Sequence, residues 1–163
     1  MEIIVKKTGI LKISKYTFKC FLGKKGLSNN KKEGDFKTPK GKFLLRYVMY
    51  RSDRVKKPIT ILPTYIIKKN HICCDDPENP NYNKIFESIS LESHEKLWRK
   101  DTLYDILIVI GHNDNPIIKN NGSAIFVHLS EKSTCSTEGC ISIEKKNMID
   151  LLKCNPKKIS IID

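Results

Sequence analysis

Short apolar runs, separated by glycine or by clusters of lysine and asparagine, make up most of the first fifty residues. Runs that are rich in β-branched and aromatic side chains are typical of β-strands. The pattern therefore predicts strands at Glu2 to Val5, Ile10 to Ser14, Thr17 to Leu22 and Lys42 to Tyr50. The intervening residues 23–41 predict a long loop or hairpin, because they contain Gly23, Gly26, Gly34, Pro39 and Gly41.

Two later runs are almost entirely apolar. Tyr104 to Ile110 is interrupted only by Asp105, and Ala124 to Val127 is uninterrupted. A strand without polar alternation is typical of a sheet that is covered on both faces. Residues 52–89 are not expected to form long helices, because they contain Pro58, Pro63, Pro77 and Pro80.

A helical pattern is present near the end of the chain. Residues Glu144 to Lys153 place Met148, Leu151 and Leu152 at helical spacing. Pro156 ends this helix, since the residue before a proline avoids the helical conformation.

A shorter helix is predicted from Ser93 to Lys100, where Ser93 fits an N-cap. Lys157 to Ile162 alternates between polar and apolar residues and predicts a closing strand. These elements together predict a mainly β domain, sandwich-like or barrel-like, with one or two short helices. Because 163 residues is the length of one ordinary domain, residues 1–163 are expected to form a single domain.

The composition, with 39% hydrophobic and 29% charged residues, is that of a globular protein and excludes disordered or collagen-like classes. The start of the chain, Met1 to Lys7, has an apolar run of three residues that is closed by lysines, which does not fit a secretory signal. No apolar run approaches the roughly 18 residues of a membrane-spanning helix, so no membrane span is expected.

The formal net charge of +12 indicates a polyanionic partner such as nucleic acid, an anionic membrane surface or an acidic cell wall. A basic, solvated surface explains the same number equally well. Nucleic acid is not the expected partner, because the chain lacks a recognisable reading motif and its aromatic residues are not interleaved with the basic runs.

Six cysteines are scattered through the chain, at Cys20, Cys73, Cys74, Cys135, Cys140 and Cys154. A chain of this size can build its own core, so a disulfide framework is not required. No paired C-x-x-C pattern is present, and a structural metal site is not expected.

One histidine and one cysteine stand out as candidate chemistry. His128 ends a predicted buried strand, and Cys140 follows twelve positions later, directly after Gly139. A neighbouring imidazole can lower the pKa of a thiol by several units, which predicts that Cys140 reacts fastest among the cysteines. Glycine allows a sharp turn, so the N–H groups of Gly139 and Cys140 can form an oxyanion hole for acyl transfer.

These residues resemble the signature of the YkuD-type L,D-transpeptidases, a histidine followed after a spacer by Ser/Thr-x-Gly-Cys and an apolar residue. The matching residues are His128 and Thr137-Glu138-Gly139-Cys140-Ile141. The segment from Gly34 to Phe43 is similar to the Thr-Pro-x-Gly-x-Phe hairpin of that family. The resemblance extends over nearly the whole chain, to a compact branch of the family.

The resemblance implies that the nucleophile Cys140 attacks a tetrapeptide stem of peptidoglycan, releases D-Ala and forms a thioester that an acceptor amine resolves. It implies no metal or organic cofactor, a location in the periplasm or cell envelope and a monomer. Thr137 and Ser136 are the candidate substrate contacts beside the nucleophile. Arg99 can bind a stem carboxylate or form a structural ion pair, and His112 can be a second imidazole near the site or a loop residue.

Two positions depart from the family pattern: Glu138 stands where histidine is frequent, and Ser142 where arginine or asparagine is frequent. Both departures leave the outcome open among transpeptidation, carboxypeptidase and amidase activity. A different class of function also fits the charge, namely a basic module with an idle site that binds cell wall or nucleic acid.

Overall fold

The computed structural model describes residues 1–89 and 94–163. Within these ranges the chain forms fourteen β-strands and one α-helix. The strands are, in chain order, β1 (Glu2–Lys6), β2 (Ile10–Ile13), β3 (Tyr16–Lys19), β4 (Leu27–Ser28), β5 (Thr38–Pro39), β6 (Gly41–Tyr50), β7 (Thr64–Ile66), β8 (His71–Cys73), β9 (Ile85–Glu87), β10 (Glu95–Lys96), β11 (Ile106–Ile110), β12 (Phe126–Leu129), β13 (Ile141–Ile143) and β14 (Lys158–Ile162). The helix, α1 (Lys145–Lys153), lies between β13 and β14.

Nine strands form one sheet in the order β13-β12-β11-β6-β14-β1-β2-β3, and β7 pairs with β6. The long strand β6 joins the two halves, because its first residues pair with β14 and its last residues pair with β11. Backbone bridges from Phe21 to Ser142 and from Gly23 to Thr137 bring the segment after β3 against the segment around β13. The sheet is therefore nearly closed into a barrel.

Each face of this sheet packs against a different layer. One face, with Val127 and Leu129 of β12, packs with α1 in the helix-side core, whose helical members are Met148, Leu151 and Leu152. The opposite face packs in a second core, which consists of Met49, Ile67, Cys73, Leu97, Tyr104, Leu107 and Phe126. We call it the cavity-side core, because the cavity described below lies on this side of the sheet. Cys73 and Leu97 belong to or flank the small sheet β10-β8-β9. Strand β12 is consequently buried on both sides, as the apolar run from Ala124 to Val127 predicts.

The predicted fold class is confirmed: the domain is mainly β with one helix and a barrel-like sheet. The predicted helix at Glu144 to Lys153 is confirmed as α1, which buries Met148, Leu151 and Leu152 and ends before Pro156. No helix among the described residues is long and apolar enough to cross a bilayer.

The predicted helix from Ser93 to Lys100 is wrong for its described part. Ser93 itself lies outside the described residues, but Glu95 and Lys96 form β10 and pair with β8. The pairing buries Leu97 completely in the cavity-side core, and tertiary packing of this kind overrides a weak local helix pattern.

The strand predicted at Ala124 to Val127 starts two residues later, at Phe126. Ala124 has φ of 51°, a left-handed conformation that a strand cannot contain. Its backbone N–H donates to the Asn83 side chain at 3.1 Å, so the chain turns here before it enters β12.

Candidate active site

A cavity of about 400 Å³ opens between the cavity-side face of β12, the loop before β13 and the loop between β4 and β5. It brings together six residues singled out from the sequence: His128, Gly139, Cys140, Ser136, Thr137 and Arg99. The remaining lining residues include four carboxylates and one lysine, namely Glu33, Asp75, Glu95, Glu138 and Lys31. The seventh predicted residue, His112, does not line this cavity.

Strand register places His128 and Cys140 on the same face of the sheet. Strands β12 and β13 are parallel, with Val127 opposite Ile141 and His128 opposite Ser142. Cys140 therefore stands beside Phe126, and side chains alternate along a strand, so residues 126, 128 and 140 share one face. Val127 and Ile141 point the other way, into the helix-side core.

The thiol of Cys140 is held by backbone groups. Its S–H donates to the carbonyl of Ala124 at 3.1 Å, and the Phe126 N–H donates to Sγ at 3.4 Å. Burial raises the pKa of Cys140 to about 12, and the carboxylates of Glu95 and Glu138 act in the same direction. Loss of solvent around the sulfur disfavours the thiolate and opposes the lowering that is expected from the imidazole.

His128 is buried and neutral at pH 7. Burial lowers the pKa of His128 to about 4. Its Nδ1 lies 2.7 Å from the carbonyl of Leu129, an acceptor that fixes the proton on Nδ1 and leaves Nε2 with a lone pair. The ring also packs edge-on against Tyr104, with centroids 5.3 Å apart. The imidazole is thus oriented as a base, although no hydrogen bond joins it to Sγ within residues 1–89 and 94–163.

The neutral thiol and neutral imidazole predict how Cys140 alkylation depends on pH. The rate with iodoacetamide is expected to rise about tenfold per pH unit from pH 7 to pH 10, because the thiolate fraction grows tenfold per unit below the pKa. Site-resolved mass spectrometry measures this rate, and Cys135, which is exposed in the same cavity, serves as the internal reference. A rate that levels off below pH 8 would show that Cys140 is instead a preformed thiolate.

The turn before the nucleophile requires glycine. Gly139 has φ of +147°, and a Cβ at this position would lie 3.0 Å from the carbonyl oxygen of Lys37. Thr137 clamps the turn: its hydroxyl accepts the Gly139 N–H at 3.2 Å and donates to the Cys140 carbonyl at 2.6 Å. The Gly139 N–H is therefore occupied in the unliganded site, whereas the Cys140 N–H donates to no atom of the described residues.

Arg99 lines the cavity, but its guanidinium is already paired. Nε and Nη2 donate to Asp101 at 2.9 and 2.7 Å, and Nη1 lies 3.4 Å from Glu95. The guanidinium also stands 5.1 Å from the ring centroid of Tyr104. The geometry matches the structural ion pair, and a substrate carboxylate has to compete with Asp101 for these donors.

His112 lies behind the cavity wall. Its Nε2 is 2.9 Å from the carbonyl of Asn121, and its ring packs edge-on against Phe43. It lines a second cavity with Arg46 and Asp114, which form an ion pair at 2.6 Å.

The loop between β4 and β5 supplies cavity residues that the sequence reasoning missed. Glu33 accepts hydrogen bonds from Ser123, at 2.8 Å, and from Tyr82, and so joins this loop to the segment before β12. Lys31 is 7% exposed and pairs with Asp35 at 2.6 Å. The sequence signal for these residues was the segment 31–35, in which four of five residues are charged, shortly before the Thr-Pro motif.

The described residues contain no group of three or more His, Cys, Asp or Glu side chains that could hold a metal ion. All six cysteines are free thiols. The chemistry that the arrangement offers is that of a thiol nucleophile with an oriented imidazole base.

The chain is similar to known proteins in sequence and in structure. A family model for the L,D-transpeptidase catalytic domain, YkuD, matches residues 5–161. The helical cell shape determining protein Pgp2 from Campylobacter jejuni is similar in structure, with a TM-score of 0.52 and 16% identity over 98% of this chain and 46% of that one. L,D-transpeptidase 1 from Mycobacterium tuberculosis has a TM-score of 0.44 and 12% identity over 99% of this chain and 60% of that one. The chain thus spans about half the length of these two proteins, and no curated protein matched it significantly.

Proposed function

Because the chain belongs to the YkuD family of L,D-transpeptidase catalytic domains, we propose that it transfers acyl groups of peptidoglycan stem peptides through a thioester on Cys140. The observation that carries the proposal is the shared cavity wall of Cys140 and His128, with the imidazole tautomer fixed by the Leu129 carbonyl. The site of action is the cell envelope, where these peptides occur.

The reaction starts from the neutral pair. As Sγ attacks the carbonyl before the terminal D-Ala, its proton passes to Nε2 of His128, and the S–H bond to the Ala124 carbonyl is given up. The Cys140 N–H is the backbone donor available to the tetrahedral oxyanion. The imidazolium then returns its proton to the departing amine of D-Ala, which leaves a neutral imidazole and a thioester.

The second half of the reaction reverses these steps with a new amine. His128 accepts a proton from the acceptor amine as that amine attacks the thioester, and the proton returns to the sulfur when Cys140 leaves. Ser136 and Arg99, which line the cavity, and Thr137, which holds the turn, are proposed to contact the stem peptide. A contact from His112 requires the wall between the two cavities to move. No step requires a metal or an organic cofactor.

The proposal is tested by incubating the protein with purified tetrapeptide stems, with and without an acceptor amine. Intact mass is expected to increase by the acyl tripeptide, peptide mapping is expected to place it on Cys140, and one D-Ala is released per adduct. A cross-linked product that needs the amine identifies transpeptidation, whereas a free tripeptide identifies hydrolysis. A folded protein that forms no adduct and releases no D-Ala would overturn the acyl-transfer assignment.

A further inference from the structure

Lys31 is a buried cation on the wall of the nucleophile's cavity. Its side chain is 6% exposed, although lysine is among the residues that proteins bury least. The aliphatic part of the side chain packs against the turn that holds Cys140, since a Cβ on Gly139 would lie 3.6 Å from Cε of Lys31. The Lys31 side chain is therefore fixed beside the turn before the nucleophile.

The ammonium group of Lys31 retains an unused donor. Nζ donates to the carboxylate of Asp35 and to the carbonyl of Lys32, both at 2.6 Å. An ammonium group has three N–H bonds, and the third has no acceptor in the part of the chain that the structure describes. Asp35 is held independently of Lys31, because it also accepts the backbone N–H groups of Lys32 and Lys37, each at 2.9 Å.

The charged groups around Cys140 are mostly negative, and the ammonium group of Lys31 opposes them. The carboxylates of Glu95 and Glu138 oppose a negative charge on the sulfur, and Lys31 is the cation that favours it. The other cation of the cavity, Arg99, is bound to Asp101 and Glu95, and His128 is neutral. The whole chain has a net charge of +12, but in the lining of this cavity carboxylates outnumber cations.

On the basis of the proposed acyl transfer, we propose that Lys31 supplies the positive charge that stabilises the anion formed at Cys140. The anion is first the thiolate, whose proton has passed to Nε2 of His128, and then the oxyanion of the tetrahedral intermediate. Lys31 keeps its own proton throughout and forms no covalent bond. Its effect comes from a charge that is fixed in a site of low dielectric, where solvent screens it little.

The ion pair of Lys31 and Asp35 allows a structural role and an electrostatic role to be separated. Lys31→Met removes the cation, whereas Asp35→Asn keeps the cation and removes its neutralising partner. If the pair only holds the loop between β4 and β5, both substitutions perturb Cys140 in the same direction. If the ammonium acts through its charge, the two substitutions change the reactivity of Cys140 in opposite directions.

The test measures Cys140 alkylation by the neutral reagent iodoacetamide across pH 7–10, with site-resolved mass spectrometry and a thermal unfolding curve for each variant. Relative to the parent, Lys31→Met is expected to be about tenfold slower at pH 8, which corresponds to a pKa shift of about one unit. Asp35→Asn is expected to be several-fold faster, and Lys31→Arg is expected to be faster than Lys31→Met because it keeps the charge.

Slower alkylation in both Lys31→Met and Asp35→Asn, or an unchanged profile in Lys31→Met, would overturn the electrostatic role. If Lys31→Met fails to fold, Asp35→Asn decides alone, since an unchanged or slower rate contradicts the proposal. Alkylation needs no stem peptide, so this result stands apart from success or failure of the acyl-transfer assay.

Discussion

Cys140→Ser is expected to abolish acyl-enzyme formation, with a loss on the order of a thousandfold or more. The serine hydroxyl has a far higher pKa than the thiol, and the neutral, buried imidazole of His128 is a weak base. Folding is expected to change little, because the hydroxyl can still donate to the Ala124 carbonyl in place of the S–H group. Intact mass and D-Ala release measure the loss, and thermal unfolding measures the stability.

Cys135→Ser is the matched control for this variant. Cys135 lines the same cavity and is exposed, and it lies on the loop before the turn. The control is expected to acylate at the parent rate. Adduct formation that survives in Cys140→Ser and disappears in Cys135→Ser would move the nucleophile to Cys135.

Gly139→Val is expected to reduce the acylation rate about a hundredfold or more, since loss of one oxyanion donor has that effect. The backbone φ of +147° is strained for valine, and its Cβ would lie 3.0 Å from the Lys37 carbonyl oxygen. Relief of that contact moves the turn, and with it the Cys140 N–H. Stopped-flow measurement of acylation follows the rate, and a thermal unfolding curve separates this effect from unfolding.

Glu138→Gln provides the comparison at the neighbouring position. Glu138 is exposed, and its carboxylate opposes the thiolate of Cys140. The variant is expected to acylate, with a pH profile displaced to lower pH because a negative charge near the sulfur is gone. A Gly139→Val protein that acylates at the parent rate would show that this turn does not form the oxyanion site.

Much of the fold follows from local patterns that packing reinforces. Strand β12 and helix α1 were predictable because their apolar residues recur at the spacing that the buried faces require. The segment from Glu95 to Lys100 was not, because its pairing with β8 depends on a strand more than twenty residues earlier in the chain. A short amphipathic segment has no local signal that distinguishes these outcomes.

In the candidate site, too, some features follow from the local sequence and others depend on tertiary packing. The pair of His128 and Cys140 was accessible from spacing and motif, and the requirement for glycine at position 139 followed from the conformation that a sharp turn needs. The protonation of the pair was not accessible. It depends on burial and on Glu95 and Lys31, whose positions around the sulfur are set by tertiary packing.

Side chains alternate between the two faces of β12, so substitutions at adjacent residues have different effects on the protein. Substitutions at Val127 and Leu129, in the helix-side core, alter how much folded protein a cell maintains. A substitution at His128, which lines the cavity, alters what each folded molecule can do. Selection for abundance and selection for turnover thus act on alternate positions of one strand. Insertion or deletion of a single residue would exchange the two sets, so new specificities are more accessible through the loops at 31–36 and 133–138.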